Sequence, residues 1–173
     1  MTSDYPSIQS LIQKVNQHAK TIISDKKQCE LFAKFVLLFY SQTSVSDLKN
    51  RSIQELFSIA YSHWKLVCVP QTQDEPHLRI LNPTKQQDGW DSPYTIVMLI
   101  VKDMPFIVDS TRMAINRMGF TTHLMIYMGG MRVCRDDKGY VTDIAAYHAE
   151  ATPKTAMIEA PVYIEIDKQA DPD

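Results

Sequence analysis

Tyr94-Thr95-Ile96-Val97-Met98-Leu99-Ile100-Val101 runs directly into Lys102-Asp103-Met104-Pro105-Phe106-Ile107-Val108-Asp109-Ser110, and the change of apolar period between the two stretches decides the fold. The first is nearly continuously apolar and rich in β-branched residues, the pattern of a strand covered on both faces. In the second, Ile107, Val108, Thr111, Ala114, Ile115 and Met118 fall at helical spacing and predict one buried stripe. Asp103 suits an N-cap, Pro105 suits a first turn where its missing N–H costs nothing, and Gly119 suits the helix end.

Working outward, Thr121 to Met128 alternates, with Leu124, Ile126 and Met128 on one side and His123, Met125 and Tyr127 on the other. Arg132 to Arg135 and Tyr140 to Ile144 flank Asp136-Asp137-Lys138-Gly139, a hairpin turn with glycine at the left-handed position. Val162, Ile164 and Ile166 alternate with Tyr163 and Glu165 in a last strand. Upstream, His77 to Leu81 is a short strand ending at Asn82-Pro83, and Lys85 to Gly89 reads as a polar loop. Strand, helix, strand, hairpin, strand predicts a mainly antiparallel sheet with helices on one side, the α+β class.

The first third has a different texture. Ile8, Leu11, Ile12, Val15, Ala19, Ile22 and Ile23 form one helical stripe that Ser24-Asp25 breaks. A second helix is expected from about Lys27 to Ser41 with Leu31, Phe35, Val36 and Phe39 inward, followed by a loop from Ser41 to Ser46. Ser52 and Glu55 make a capping box for a third, whose Ile53, Leu56, Phe57, Ala60 and Trp64 face inward. The proline-bounded polar stretch Pro70 to Pro76 divides a helical segment, 1–69, from the strand-rich region, 77–173.

A chain of 173 residues with 45% hydrophobic and 22% charged residues has room for a true core. Its net charge of −2 gives no basic field for nucleic acid, and its longest apolar runs are too short for a membrane helix. The N-terminus has no secretory signal pattern, and Cys29, Cys68 and Cys134 read as reduced thiols, so a cytoplasmic location is expected. The five glycines, Gly89, Gly119, Gly129, Gly130 and Gly139, build no G-x-G-x-x-G or Walker loop, so no dinucleotide cofactor is expected to bind this chain by that device. His148-Ala149-Glu150 lacks the following P-C-x-x-C of a zinc deaminase, and His63 with Cys68 lacks two further ligands in register. No catalytic triad, nucleophile elbow or metalloprotease helix is present. Trp64 sits on an apolar stripe, and Trp90 is placed to anchor its loop on the sheet or to meet another domain. Arg112, Arg117, Arg132 and Arg135 fit either an oxyanion site or solvated faces with surface ion pairs.

Asp103-Met104-Pro105-Phe106-Ile107-Val108-Asp109-Ser110 resembles the strand–helix junction of ACT domains, βαββαβ modules that often sense amino acids. Further blocks narrow this: Ser62-His63-Trp64, Arg79-Ile80-Leu81-Asn82-Pro83, Gly89-Trp90-Asp91-Ser92-Pro93-Tyr94-Thr95, Arg135-Asp136 before Gly139, and Ile164-Glu165-Ile166-Asp167. Together, from about Leu31 to Asp173, they resemble the N-terminal region of the large bacterial NAD-specific glutamate dehydrogenases. That resemblance implies an ACT/ferredoxin-like sandwich, incomplete because a second helix and a fourth strand would follow Ala170-Asp171-Pro172-Asp173. It implies that NAD and the catalytic domain belong to the remainder of a longer enzyme, whose other domains are this chain's partners. The role expected here is regulation or assembly, with an amino-acid-sensing module and a purely structural oligomerisation module as alternatives.

The candidate effector or interface residues are Asp103, Pro105, Phe106, Asp109 and His123. Free amides at a helix start favour a carboxylate ligand, and Asp103 and Asp109 would form its polar rim. The plainer reading makes Asp103 a cap and Asp109 a solvated early-turn charge. Amino-acid-binding ACT domains usually carry glycine after the proline, where this chain has Phe106, a side chain placed either to plug the pocket or to pack on a neighbouring domain. A homo-oligomer is also expected: the apolar row Val162-Ile164-Ile166 needs a cover, from the N-terminal helices or from a second copy.

Overall fold

The computed structural model describes residues 6–71, 75–149 and 156–170. Four helices come first: α1 (Ile8–Ile22), α2 (Lys26–Ser41), the short α3 (Val45–Leu48) and α4 (Ile53–Val67). Each start is fixed by a side-chain cap. Ser7, Asp25, Ser44 and Ser52 all accept from a backbone amide one turn in, and Ser52 with Glu55 completes the expected capping box. The polar stretch after Ser41, expected as a loop, thus contains a turn of helix. Along α1 the expected stripe buries Leu11, Ile12, Val15 and Ala19, while Ile22 stays exposed at the frayed end.

The strands are β1 (His77–Leu81), β2 (Thr95–Lys102), β3 (Thr122–Tyr127), β4 (Met131–Arg135), β5 (Val141–Ala146) and β6 (Met157–Ile166). All ladders are antiparallel, in the order β1-β2-β6-β4-β5, with β3 also on β6. The longest strand, β6, is therefore central. One side pairs with β2; the other pairs first with β4 (Glu159 opposite Met131) and then with β3 (Val162 opposite Tyr127). Pro161 falls in the gap between those two partners, where a missing N–H breaks no bond on that side. The β4–β5 hairpin turns through Gly139 at φ 84°, as its sequence requires, and any Cβ there would also strike the Gln71 backbone. The short polar segment before Gly89 forms a helical turn, α5 (Lys85–Asp88), rather than a loop.

The two faces of the sheet are covered differently. α2 and α4 pack on the face carrying Ile96, Met98, Ile100, Ile126, Met131, Val133, Ile144 and Tyr163, and share one core with it. Trp90 is 1% exposed and belongs to that core, so it anchors its loop on the sheet. Residues 72–74 of the expected linker lie outside the described residues. Next to them Gln71 is buried, and its amide donates to the Gly139 carbonyl. On the opposite face α6 (Ile107–Arg117) crosses from β2 to β3 and covers Ala160, Val162, Ile164 and Ile166.

Three expectations are corrected here. The Val162-Ile164-Ile166 row is buried under α6; the N-terminal helices cover the other face. The stripe on α6 is thinner than its periodicity predicts: Ile107 and Ile115 are buried, whereas Ala114 and Met118 are exposed. β2 is consequently fully buried on one face only, with Val97, Leu99 and Val101 half-buried on the other. Beside them Leu78 and Ile80 of β1 are 58% and 37% exposed. β1 occupies the edge next to β2, the place a fourth ferredoxin-like strand takes beside the first.

Two buried ion pairs tie the helical part to the sheet. Arg135 on β4 makes bidentate contact with Glu159 on β6, at 2.8 and 3.0 Å from one nitrogen and 3.0 Å from another. The same guanidinium donates to the carbonyls of Val67, Val69 and Gly139, so it also caps the end of α4. Arg51, just before α4, donates to Glu165 at 2.8 Å, and Glu165 accepts the Tyr163 hydroxyl as well. Burial alone lowers the Arg51 pKa, but the Glu165 carboxylate outweighs it and raises it. Burial pushes the Glu159 carboxyl up despite Arg135.

Candidate functional site

The β2–α6 junction gathers four of the five expected residues. Asp103, Pro105, Phe106 and Asp109 line a cleft of about 500 Å3 together with Tyr127, Tyr147 and Ile158. Asp103 does not cap the helix. Its amide extends the sheet by donating to Ile158, and its carboxylate accepts the Tyr127 hydroxyl at 3.2 Å. Gly130 lies beneath that carboxylate: a Cβ there would come within 2.6 Å of it and 2.8 Å of Ile158, so any other residue would have to push these side chains aside. Burial, then the Asp103 charge, raises the Tyr127 pKa.

The residue at the N-cap is Phe106, with φ 67° and ψ 16° and no side-chain cap. Pro105 therefore precedes the cap instead of sitting in the first turn, while Asp109 is the exposed first-turn acid. Left-handed backbone costs an L-residue on the order of 1 kcal/mol, which explains why glycine suits this place. The phenyl ring is 75% exposed, so it does not plug the cleft. Met104 at 55% and Tyr147 at 41% are exposed in the same cleft, which gives its rim an apolar character.

His123 is not part of this group. It lies toward the other end of α6, where it bonds Asp167 at 2.7 Å and stacks on Tyr94 with ring centroids 4.3 Å apart. Asp167 also accepts the Thr121 amide, and the bond from His123 is the foremost cause holding its carboxyl below the usual range. Arg112 and Asn116 line the cleft beside His123, Arg135 is a buried clamp, Arg132 donates to the Tyr147 carbonyl, and Arg117 is exposed. His63 is fully buried among Phe35, Phe39 and Tyr163, and Cys68 is a free thiol whose pKa burial pushes up to about 12. Among the described residues no three potential metal ligands come together. Glu150 of the H-x-E stretch lies outside them. Tyr127 and Tyr147 carry no sequence signal as cleft residues, since only the fold brings their strands to the junction.

A dinucleotide does not fit this junction. A pyrophosphate cradle needs close backbone approach at the strand–helix turn, and here the turn carries Pro105 and an exposed Phe106. Among the described residues no helix is long and apolar enough to cross a membrane.

Helices over one face of an open antiparallel sheet, with a strand–helix–strand crossover on the other, define an ACT-like α+β module. A family profile described as "Glutamate dehydrogenase, ACT1 domain" matches residues 35–173. The chain belongs to that family. It is 31% identical over 163 residues to the NAD-specific glutamate dehydrogenase of Halomonas elongata, covering 94% of this chain and 10% of that protein. It is 33% identical over 143 residues to the NAD-specific glutamate dehydrogenase of Pseudomonas aeruginosa, covering 83% of this chain and 8% of that protein. The chain thus spans about a tenth of the length of these relatives. No solved structure matches it.

Proposed function

We propose that this chain is the N-terminal assembly or regulatory module of an NAD-dependent glutamate dehydrogenase. The intact enzyme converts L-glutamate, NAD and water to 2-oxoglutarate, ammonia and NADH, with NAD and the catalytic groups held by other domains. This module supplies a docking edge at the start of α6. The observation that carries the reading is Phe106, a left-handed, uncapped residue whose ring is 75% exposed beside Met104. Such a ring gains nothing in the free chain, where its backbone is strained and its apolar surface is wet. Buried against a neighbouring domain or a second copy, it becomes an aromatic anchor of the kind that dominates interfaces.

The test uses the intact enzyme. Phe106→Asp is expected to lower the assembly mass measured by ultracentrifugation, or to change kcat/KM for glutamate, with the secondary structure intact by circular dichroism. Phe106→Gly removes the same ring but relieves φ, so it is expected to weaken assembly while raising the stability of the module by about 1 kcal/mol. Unchanged mass and kinetics in both variants would defeat the docking role.

A further inference from the structure

A second cleft stands at the far end of α6 from Phe106. It measures about 770 Å3 and runs along β3 between α6 and the α3–α4 turn. That volume is in the range of small-molecule sites. Its polar lining includes Arg112 and Asn116, one turn apart on α6; Thr122 and His123 on β3; and Asp47, Arg51 and Glu165 on the opposite wall. We propose that this cleft binds a small oxyanion, a carboxylate or phosphate group, with Arg112 as its counter-charge.

Three observations carry this assignment. First, the wall is built in advance. Arg51 is fixed by Glu165, itself 1% exposed, and His123 is fixed between the Asp167 carboxylate and the Tyr94 ring. Second, the charges are not all matched internally. Glu165 already answers Arg51, and the His123 ring is taken up by its hydrogen bond with Asp167, whereas Arg112 has no ion-pair partner among the described residues. Third, Thr122 lines the cleft, and its hydroxyl, covered as the side chain stands, has no hydrogen-bond partner among the described residues. A covered, unpaired hydroxyl costs on the order of 1 kcal/mol or more, which favours a turn about its Cα–Cβ bond toward an acceptor bound in the cleft. Beyond the Arg51–Glu165 and His123–Asp167 pairs, the cleft keeps the Arg112 guanidinium and the Asn116 carboxamide as donors, against Asp47 on α3, a carboxylate with no ion-pair partner among the described residues. A planar fork such as Arg112 reads carboxylate or phosphate oxygens in pairs, and Asn116 at i+4 shares its helix face.

The experiment titrates the chain with sodium glutarate and, separately, with inorganic phosphate at constant ionic strength. The readout is the NMR signals of the Arg112 side chain, the Asn116 carboxamide and the His123 ring. Saturable shifts with either probe support the site, and the probe that saturates identifies the oxyanion. In Arg112→Gln the affinity is expected to fall about tenfold, the loss of one charge-assisted contact. Arg117→Gln, on the same helix but outside the cleft, is expected to bind as the parent does. Circular dichroism checks that each exposed substitution leaves the fold intact. No saturable shift with either probe, or an Arg112→Gln affinity equal to the parent's, would overturn the proposal.

Discussion

The two faces of the sheet are made of the same strands yet live under different rules. The face toward α2 and α4 is sealed: Tyr163, His63, Phe35 and Phe39 interlock, and the two arginines Arg51 and Arg135, paired with carboxylates at most 2% exposed, tie the helical part to the strands. The face toward α6 is thinly covered. One helix contributes Ile107 and Ile115, and Leu78, Ile80, Met104, Phe106, Met113 and Met118 remain exposed around it. The first face explains why the helical prefix and the sheet hold together. Two clefts border α6, the helix of the thinly covered side: one at its start, the other past its far end and reaching Arg51 and Glu165 at the margin of the sealed face.

The comparison breaks most visibly if the sealed face tolerates an unpaired charge. Arg135→Ala leaves Glu159 buried without its partner and strips donors from the Val67, Val69 and Gly139 carbonyls. The expected loss is about 3–5 kcal/mol in urea unfolding. The double variant Arg135→Met with Glu159→Leu is expected to recover most of it, because the apolar pair removes the stranded charge. A loss below about 1 kcal/mol for Arg135→Ala would place this pair with ordinary surface bridges.

A pH titration probes the same face through His63. Burial lowers its pKa from 6.5 to about 3, against a weaker opposing pull from the Leu99 backbone. Above pH 6.5 both folded and unfolded chains hold a neutral ring, and the group has no effect on stability. Between 6.5 and about 3 the unfolded chain binds a proton that the folded one excludes, so stability falls as the pH falls. The contribution is about 2 kcal/mol by pH 5. In His63→Leu that part of the slope disappears, measured as a shallower decline of the urea midpoint between pH 6.5 and 5. An unchanged slope would show that water reaches the ring.

Local chemistry made part of this legible from residues alone. The Ser52–Glu55 box, the Asp136–Gly139 turn and the alternation of β6 are written within a few positions, and each stands as read. What escaped is set by distant partners. No spacing reveals that β6 takes β3 and β4 in turn along one side, nor that the N-terminal helices choose the Tyr163 face over the Val162 face. The α6 stripe reads wider in the sequence than the fold makes it, because periodicity reports which residues share a side, not how wide a surface they meet. At the candidate sites, Phe106 stands out in the sequence as an oddity, but its left-handed backbone is visible only in the fold. Nothing in the sequence separates His123 from Asp103, whereas the fold sends it to the other end of α6.

The smallest effect is expected on the open face, and it sharpens the contrast most. Ile80 lies opposite Val97 on the outer side of the β1–β2 ladder, next to Leu78, and no helix covers it. Thr has similar shape and strand preference, so Ile80→Thr changes polarity with little change in backbone cost. On a wet surface such a change stays within about 0.5 kcal/mol. The measurement is urea unfolding of the chain at two protein concentrations well apart. A midpoint that neither shifts with the substitution nor with concentration marks this face as open in the free chain. A loss of about 2 kcal/mol that grows with concentration would mean instead that a second copy buries Ile80, because removing apolar area from a contact costs what burying it gained. That outcome would turn the thin face into a self-association surface and erase the asymmetry between the two sides of the sheet.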